Sequence, residues 1–188
     1  MAENDGTLTS LHMQPATRRI MAYDAYLAFS GNYGPAIKGE STRKGFENWI
    51  EIDYFDFDIQ QKLTIGSQTT GAGAGKVQFG AFQVRKQPDS SSPLLFQACA
   101  AGTPWEKATL ALHKAGGEST VNYLRFEFQL VALQGVHWTG DTNNGDTPSE
   151  VLAFMYGALH VTYTPQKIDG SAGAAIVGGW NQIKNEKI

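Results

Sequence analysis

Between Trp49 and Ile59 the chain reads WIEIDYFDFDI, with Trp49, Phe55, Phe57 and Ile59 on one parity and Ile50, Ile52, Tyr54, Asp56 and Asp58 on the other. A period of two is the mark of a strand with unlike faces. The polar members change sides midway, which predicts a bend or a bulge. Asn122 to Leu133 alternates in the same way, with Leu124, Phe126, Phe128 and Leu130 facing one way and Tyr123, Arg125, Glu127 and Gln129 the other. Tyr23 to Phe29, Lys76 to Lys86, Thr109 to His113 and Val151 to Tyr163 add further strands, rich in aromatic and β-branched residues.

Ser91 to Ala101 differs. Ser91 or Ser92 can cap, Pro93 suits a first helical turn, LLFQACAA favours helix and Gly102 can end it, so one short helix is expected over about residues 92–101. Turn formers separate the segments: Ser30-Gly31-Asn32, the run Gly66 to Gly75 (GSQTTGAGAG) and the run Thr139 to Pro148 (TGDTNNGDTP). The second exceeds a tight hairpin and is expected to project. These elements predict a mainly β barrel or sandwich of about eight strands with a single flanking helix.

Composition narrows the reading. A hydrophobic content of 41% with 18% charged residues is that of a folded globular chain. Residues 1–20 are polar and aperiodic and read as a flexible leader, or as sequence upstream of a start at Met21; residues 21–188 read as a single domain. A formal charge of −3, with Lys and Arg spread along the chain, provides no basic field for nucleic acid. No run approaches the roughly 20 apolar residues of a membrane span, and the N-terminus lacks a signal-peptide core. A lone cysteine, Cys99, cannot form an internal disulfide and points to a reducing compartment.

Candidate chemistry is sparse. GAGAGKV resembles a phosphate loop, but that motif needs glycine where Thr70 stands and Ser or Thr where Val77 stands, and it must open a helix. His12, His113, His137 and His160 lie far apart, with no spacing for a metal. Cys99 sits in an apolar run, as a packed thiol does, and no serine lies in a hydrolase motif. Asp53, Asp56 and Asp58 read as solvated charges sooner than as a calcium or glycosidase site. Trp49, Tyr54, Phe55, Phe57, Trp105, Trp138 and Trp180 read as core or interface anchors sooner than as a sugar platform. No catalytic set, metal or cofactor is expected.

Seven segments, MAYDAYLAFSG, IKGES (Ile37 to Ser41), GAGAGKVQF (Gly71 to Phe79), SPLLFQACAAG (Ser92 to Gly102), HKAGGE (His113 to Glu118), YTPQKIDGSAG (Tyr163 to Gly173) and GGWN (Gly178 to Asn181), occur in one order from Met21 onward. In them the chain resembles the haemolysin-coregulated protein (Hcp) family of type VI secretion. The resemblance implies two curved sheets closing into a barrel beside one helix, homohexameric rings stacked into a hollow tube, and contacts with a contractile sheath, a spike protein and small effector proteins carried in the lumen. It implies assembly in the bacterial cytoplasm and export without a cleavable signal peptide, with no membrane insertion. Asp56 falls where the family tends to place a lumen residue that influences cargo. Gly66, Ser67, Gln68, Thr69, Thr70, Gly71, Ala72, Gly73, Ala74 and Gly75 match its projecting loop that touches the next ring. The leader and the loop Thr139 to Pro148 depart from the family pattern, and an appended toxin domain is not expected after GGWN. Two other readings are a tail-tube-like subunit of another contractile injection particle and a carbohydrate-binding module, the latter predicting a monomer.

Overall fold

The computed structural model describes residues 23–64, 73–114, 122–143 and 147–188. Along them run β1 (Tyr23–Ser30), β2 (Ile50–Ile52), β3 (Tyr54–Asp56), β4 (Ile59–Thr64), β5 (Gly73–Phe79), β6 (Phe82–Lys86), α1 (Ser92–Ala101), β7 (Pro104–Lys114), β8 (Asn122–Thr139), β9 (Ser149–Tyr163), β10 (Ile176–Asn181) and β11 (Glu186–Lys187). The fold is mainly β, with one short helix among the described residues. The strands outnumber the sequence expectation because Trp49 to Ile59 is interrupted at Asp53 and again after Asp56. Lys76 to Lys86 is likewise broken at Gly80, where a side chain would run into Asp58. β10 and β11 lie in a tail whose glycines and alanines hide any period of two.

Nine strands form one sheet in the order β11-β10-β9-β8-β7-β1-β2, with β6 beside β9 and β3 beside β6; β4 and β5 form a separate two-stranded ribbon. Every pairing is antiparallel. The long sheet folds over itself into two layers. One holds β3, β6, the first part of β9 and the last part of β8; the other holds β2, β1, β7, the first part of β8, the last part of β9 and the two C-terminal strands. The expected mainly β fold with two layers and one flanking helix is present, with one difference in how the sheets meet. The hydrogen-bonded ladder does not close, because β2 bonds only to β1 and β3 only to β6. The chain through Asp53, whose N–H donates to the Arg85 carbonyl at 2.8 Å, is what joins the two layers at that side.

The other join is a corner in the β8–β9 hairpin. Phe128 pairs with Leu159 and Val131 with Tyr156, and all four are buried, so three steps separate core-facing residues where a flat strand allows two. Leu130 absorbs the extra step at φ 52° and stands 52% exposed, opposite Gly157. The sequence pattern had placed Leu130 with Phe126 and Phe128. The parity reverses at Leu130 because a left-handed residue turns the strand over.

Between the layers lies an aromatic core. Phe82, fully buried, has the rings of Phe55, Phe57, Phe126, Phe128 and Phe154 within 4.8 to 5.8 Å of its centroid. Trp105 is fully buried with its indole N–H donating to the Pro35 carbonyl at 3.0 Å. α1 has Pro93 in its first turn and ends at Gly102 in the left-handed conformation (φ 64°), as its sequence predicts, but Ser91 at its start makes no side-chain cap hydrogen bond and the Ser92 hydroxyl turns to Glu150 instead. It buries Ser92, Leu95 and Ala98, while Cys99 is only partly buried. Outside the core, Phe46 stacks on Tyr26 at 4.5 Å and meets Trp49 edge-on, pinning the loop before β2.

That loop explains the glycine of IKGES. A Cβ on Gly39 would lie 2.4 Å from the Trp49 carbonyl and 2.6 Å from the Ile50 Cα, both backbone atoms. Gly39→Ala is expected to cost about 1–3 kcal/mol by overpacking. Denaturant unfolding measures it, and a loss within error of zero means the segment lies elsewhere.

Candidate functional site: the Asp56 face

Because β3, β6, β9 and β8 turn one face of their layer to the aromatic core, the other faces outward with Asp56 on it. The register sets its rows. Tyr54 lies beside Arg85, Val151 and His137; Asp56 lies beside Gln83, Ala153 and Gly135. Tyr54, Asp56, Gln83, Arg85 and His137 are exposed. The Arg85 guanidinium sits over the Tyr54 ring at 5.3 Å, which holds both long side chains flat along the surface. One row further, Leu130, Ala132, Met155, Gly157 and Ile183 form an apolar recess of about 330 Å³. Gln182 fixes the floor of this recess: its N–H donates to the Gly157 carbonyl at 3.0 Å and its side-chain amide to the Tyr156 carbonyl.

Among the described residues no group of His, Cys, Asp and Glu is placed to hold a metal. Asp58 accepts from the Gln60 amide at 2.9 Å. The Tyr156 hydroxyl is buried, and burial followed by the charge of Asp58 raises its pKa far above the usual phenol range, so it stays protonated. The face is thus of mixed polarity, with Tyr54, Asp56, Gln83, Arg85 and His137 exposed beside an apolar recess.

One buried ionic cluster lies at the end of the layer and was missed in the sequence. Lys86 and Glu150, both fully buried, are cross-strand partners, with Nζ donating to the Glu150 carboxylate at 3.0 Å, to Asp89 at 2.8 Å and to the Ser92 hydroxyl at 3.0 Å. Ser92 also donates to Glu150. The cluster ties β6 and β9 to the first turn of α1. Alternation did signal it, since Lys86 shares the core parity of Phe82 and Val84.

The other candidates fall where the packing puts them. His113 is 2% exposed with Phe46 against its ring at 6.2 Å, and His160 is half-buried. The aromatics do not form one platform: Trp105 is in the core, Phe55 and Phe57 pack on it, Tyr54 shares the Asp56 face, and Trp138 meets Phe96 of α1 at 5.9 Å on the other side. Of the run Gly66 to Gly75, Gly73, Ala74 and Gly75 belong to β5 and not to a loop, because Gly73 and Ala74 pair with Thr64 and Leu63. Gly66, Ser67, Gln68, Thr69, Thr70, Gly71 and Ala72 lie outside the described residues, as do residues 1–20.

Comparison with known proteins places these features. Residues 26–163 match the family described as "Type VI secretion system effector, Hcp". "Protein hcp1" of Pseudomonas aeruginosa is 34% identical over 111 residues, 58% of this chain and 68% of that protein. A solved "type six secretion system protein" superposes with a TM-score of 0.80 at 28% identity, over 89% of this chain and 100% of the other. Hcp1 from Salmonella typhimurium superposes with a TM-score of 0.71 at 25% identity, over the same shares. The chain belongs to the Hcp family of secreted type VI secretion system proteins.

Proposed function

We propose that this chain is the ring-forming subunit of a type VI secretion tube: copies assemble into hexamers, hexamers stack, and the Asp56 face lines a lumen that carries small effector proteins. One observation carries the reading. The layer β3-β6-β9-β8 has two free edges among the described residues, β3 on one side and β8 beyond Ala132 on the other. Its strands alternate in direction, so β3 and β9 run one way and β6 and β8 the other. The free edge of β8 set beside β3 of a rotated copy therefore continues an antiparallel sheet without a change of pattern. Two unlike edges meeting head to tail make a heterologous contact, which closes when the rotation divides a full turn. Repeated to closure, it produces a cylinder in which this layer has no exposed strand edge, and unpaired edges are a hazard that soluble proteins remove.

The inner wall of that cylinder would be the row of Asp56, Gln83, Tyr54, Arg85 and His137. A wall with charged and polar groups holds a folded cargo through weak contacts and releases it. The contractile sheath and the spike act from outside this chain. Synthesis in the cytoplasm and export by this route, without a cleavable signal peptide, complete the reading.

Asp56→Arg reverses a charge on every subunit of the wall. With rings purified from the producing cell, co-purifying small proteins measured by mass spectrometry should fall several-fold while the ring's mass stays unchanged. Unchanged cargo recovery removes Asp56 from the site.

A further inference from the structure

Leu130 carries two local costs. Its backbone is left-handed (φ 52°) and its side chain is half exposed. The corner needs a left-handed residue, which glycine or asparagine adopts more cheaply, and solvent favours a polar one. Leucine meets neither demand, and local strain of this kind points to a use for the side chain. Met155, 39% exposed, and Ile183, 67% exposed, join it with Ala132 and Gly157 around the recess of about 330 Å³. A Cβ on Gly157 would lie 2.8 Å from the Ile183 Cδ1 and 3.3 Å from the Leu130 Cβ, so this glycine lets both side chains close on the floor of the recess. Exposed apolar side chains gathered around one hollow mark a contact surface.

The recess opens on the face of Asp56. Met155 pairs with Ala132 one row beyond Ala153 and Gly135, and that row carries Gln83 and Asp56. Two residues along β9 and two strands across separate Met155 from Asp56 by about 12 Å in strand geometry. The charge nearby is negative: Asp56 and Asp58 are exposed, and neither has an ion-pair partner among the described residues. Arg85, on the far side of the Asp56 row, is laid over the Tyr54 ring. A larger apolar groove of about 550 Å³, at Phe96 and Trp138 between α1 and the tip of the β8–β9 hairpin, lies on the opposite face and has no part in this site.

We propose that the recess seats an apolar side chain of the carried effector while Asp56 pairs with a Lys or Arg beside it. The inference rests on the lumen reading and names the chemistry that the lumen selects. The cargo is a small folded protein whose surface presents a Leu, Ile, Met or Phe about 12 Å from a basic residue. Burial of the apolar side chain gives an attraction that salt does not screen. The carboxylate fixes orientation through one that salt does screen. Repeated around a closed ring, the recess lets one cargo make several such contacts at once.

The test uses full-length rings purified from the producing cell, weighed by light scattering, with co-purifying small proteins quantified by mass spectrometry. Leu130→Asn removes the apolar side chain and keeps a residue suited to the left-handed backbone. Met155→Gln keeps the length and removes the apolar character. Each is expected to lower cargo recovery several-fold at low and at high salt, with the ring mass unchanged. Asp56→Asn should lower it at low salt and make no difference at high salt. In a further preparation p-benzoylphenylalanine replaces Ile183 and is photolysed before purification. The expected crosslink joins an apolar surface residue of a small protein that has a Lys or Arg within reach of Asp56. A crosslink to a second copy of this chain, or a lower ring mass with Leu130→Asn, overturns the inference by making the recess a subunit contact. Unchanged cargo recovery with both substitutions also overturns it and leaves carriage by the Asp56 wall standing. Single chains by light scattering, or rings that carry nothing, remove the lumen reading and this inference with it.

Discussion

Phe82→Ala should destabilise the protein by about 3–5 kcal/mol, the cost of truncating a fully buried aromatic and leaving a cavity that its neighbours refill only in part. Phe82 is fully buried, and five aromatic rings from β3, β8, β9 and the segment after β3 surround it. It therefore binds the Asp56-bearing layer to the rest of the core. At roughly 2–4 °C per kcal/mol for a chain of this size, the melting temperature should fall on the order of 10 °C. The measurement needs equal protomer concentrations, because assembly adds to apparent stability by mass action. A loss below about 1 kcal/mol would mean that β6 turns its other face inward. Gln83 and Arg85 would then be in the core, and the assignment of the Asp56 face would fail.

Lys86→Met is expected to cost about 3–5 kcal/mol as well, for a different reason. Removing the ammonium leaves the Glu150 carboxylate fully buried with one hydrogen-bond donor, Ser92, and no counter-charge nearby. The second carboxylate oxygen of Glu150 has no partner among the described residues even in the intact cluster. Removing both charges should recover most of the loss, so Lys86→Met with Glu150→Leu is expected to be more stable than Lys86→Met alone. A double-mutant cycle by denaturant unfolding reads the coupling. If the two substitutions simply add, Lys86 and Glu150 are not paired.

Several of these features are written in the chain and several are not. α1 was readable because Pro93 and Gly102 mark its two ends chemically, although no serine caps it. The strands β1, β8 and β9 were readable because one face is apolar over many residues. Register and layer were not. Whether Leu130 continues the Phe126–Phe128 stripe or breaks it depends on one backbone angle, and no side-chain pattern encodes that in advance. The open circuit at Asp53 was hidden for a related reason. The switch of polar residues from one parity to the other announced a bend in Trp49 to Ile59, but not that the strand would change partner from β1 to β6.

The Asp56 face shows the same division. Exposure of Asp56 follows from alternation alone. That Gln83, Arg85 and His137 share its face follows from pairings between residues far apart in the chain, and so does the recess at Leu130 and Ile183. The groove at Phe96 and Trp138 joins a helix to a hairpin tip distant along the chain, and Phe96 and Pro148 meet only in the fold.

Molar mass in solution tests the central claim most directly. Light scattering coupled to size exclusion, run over a range of concentrations, should give six times the 20.4 kDa of one chain. A mass of one chain at every concentration would contradict the account, leaving the family fold without the ring.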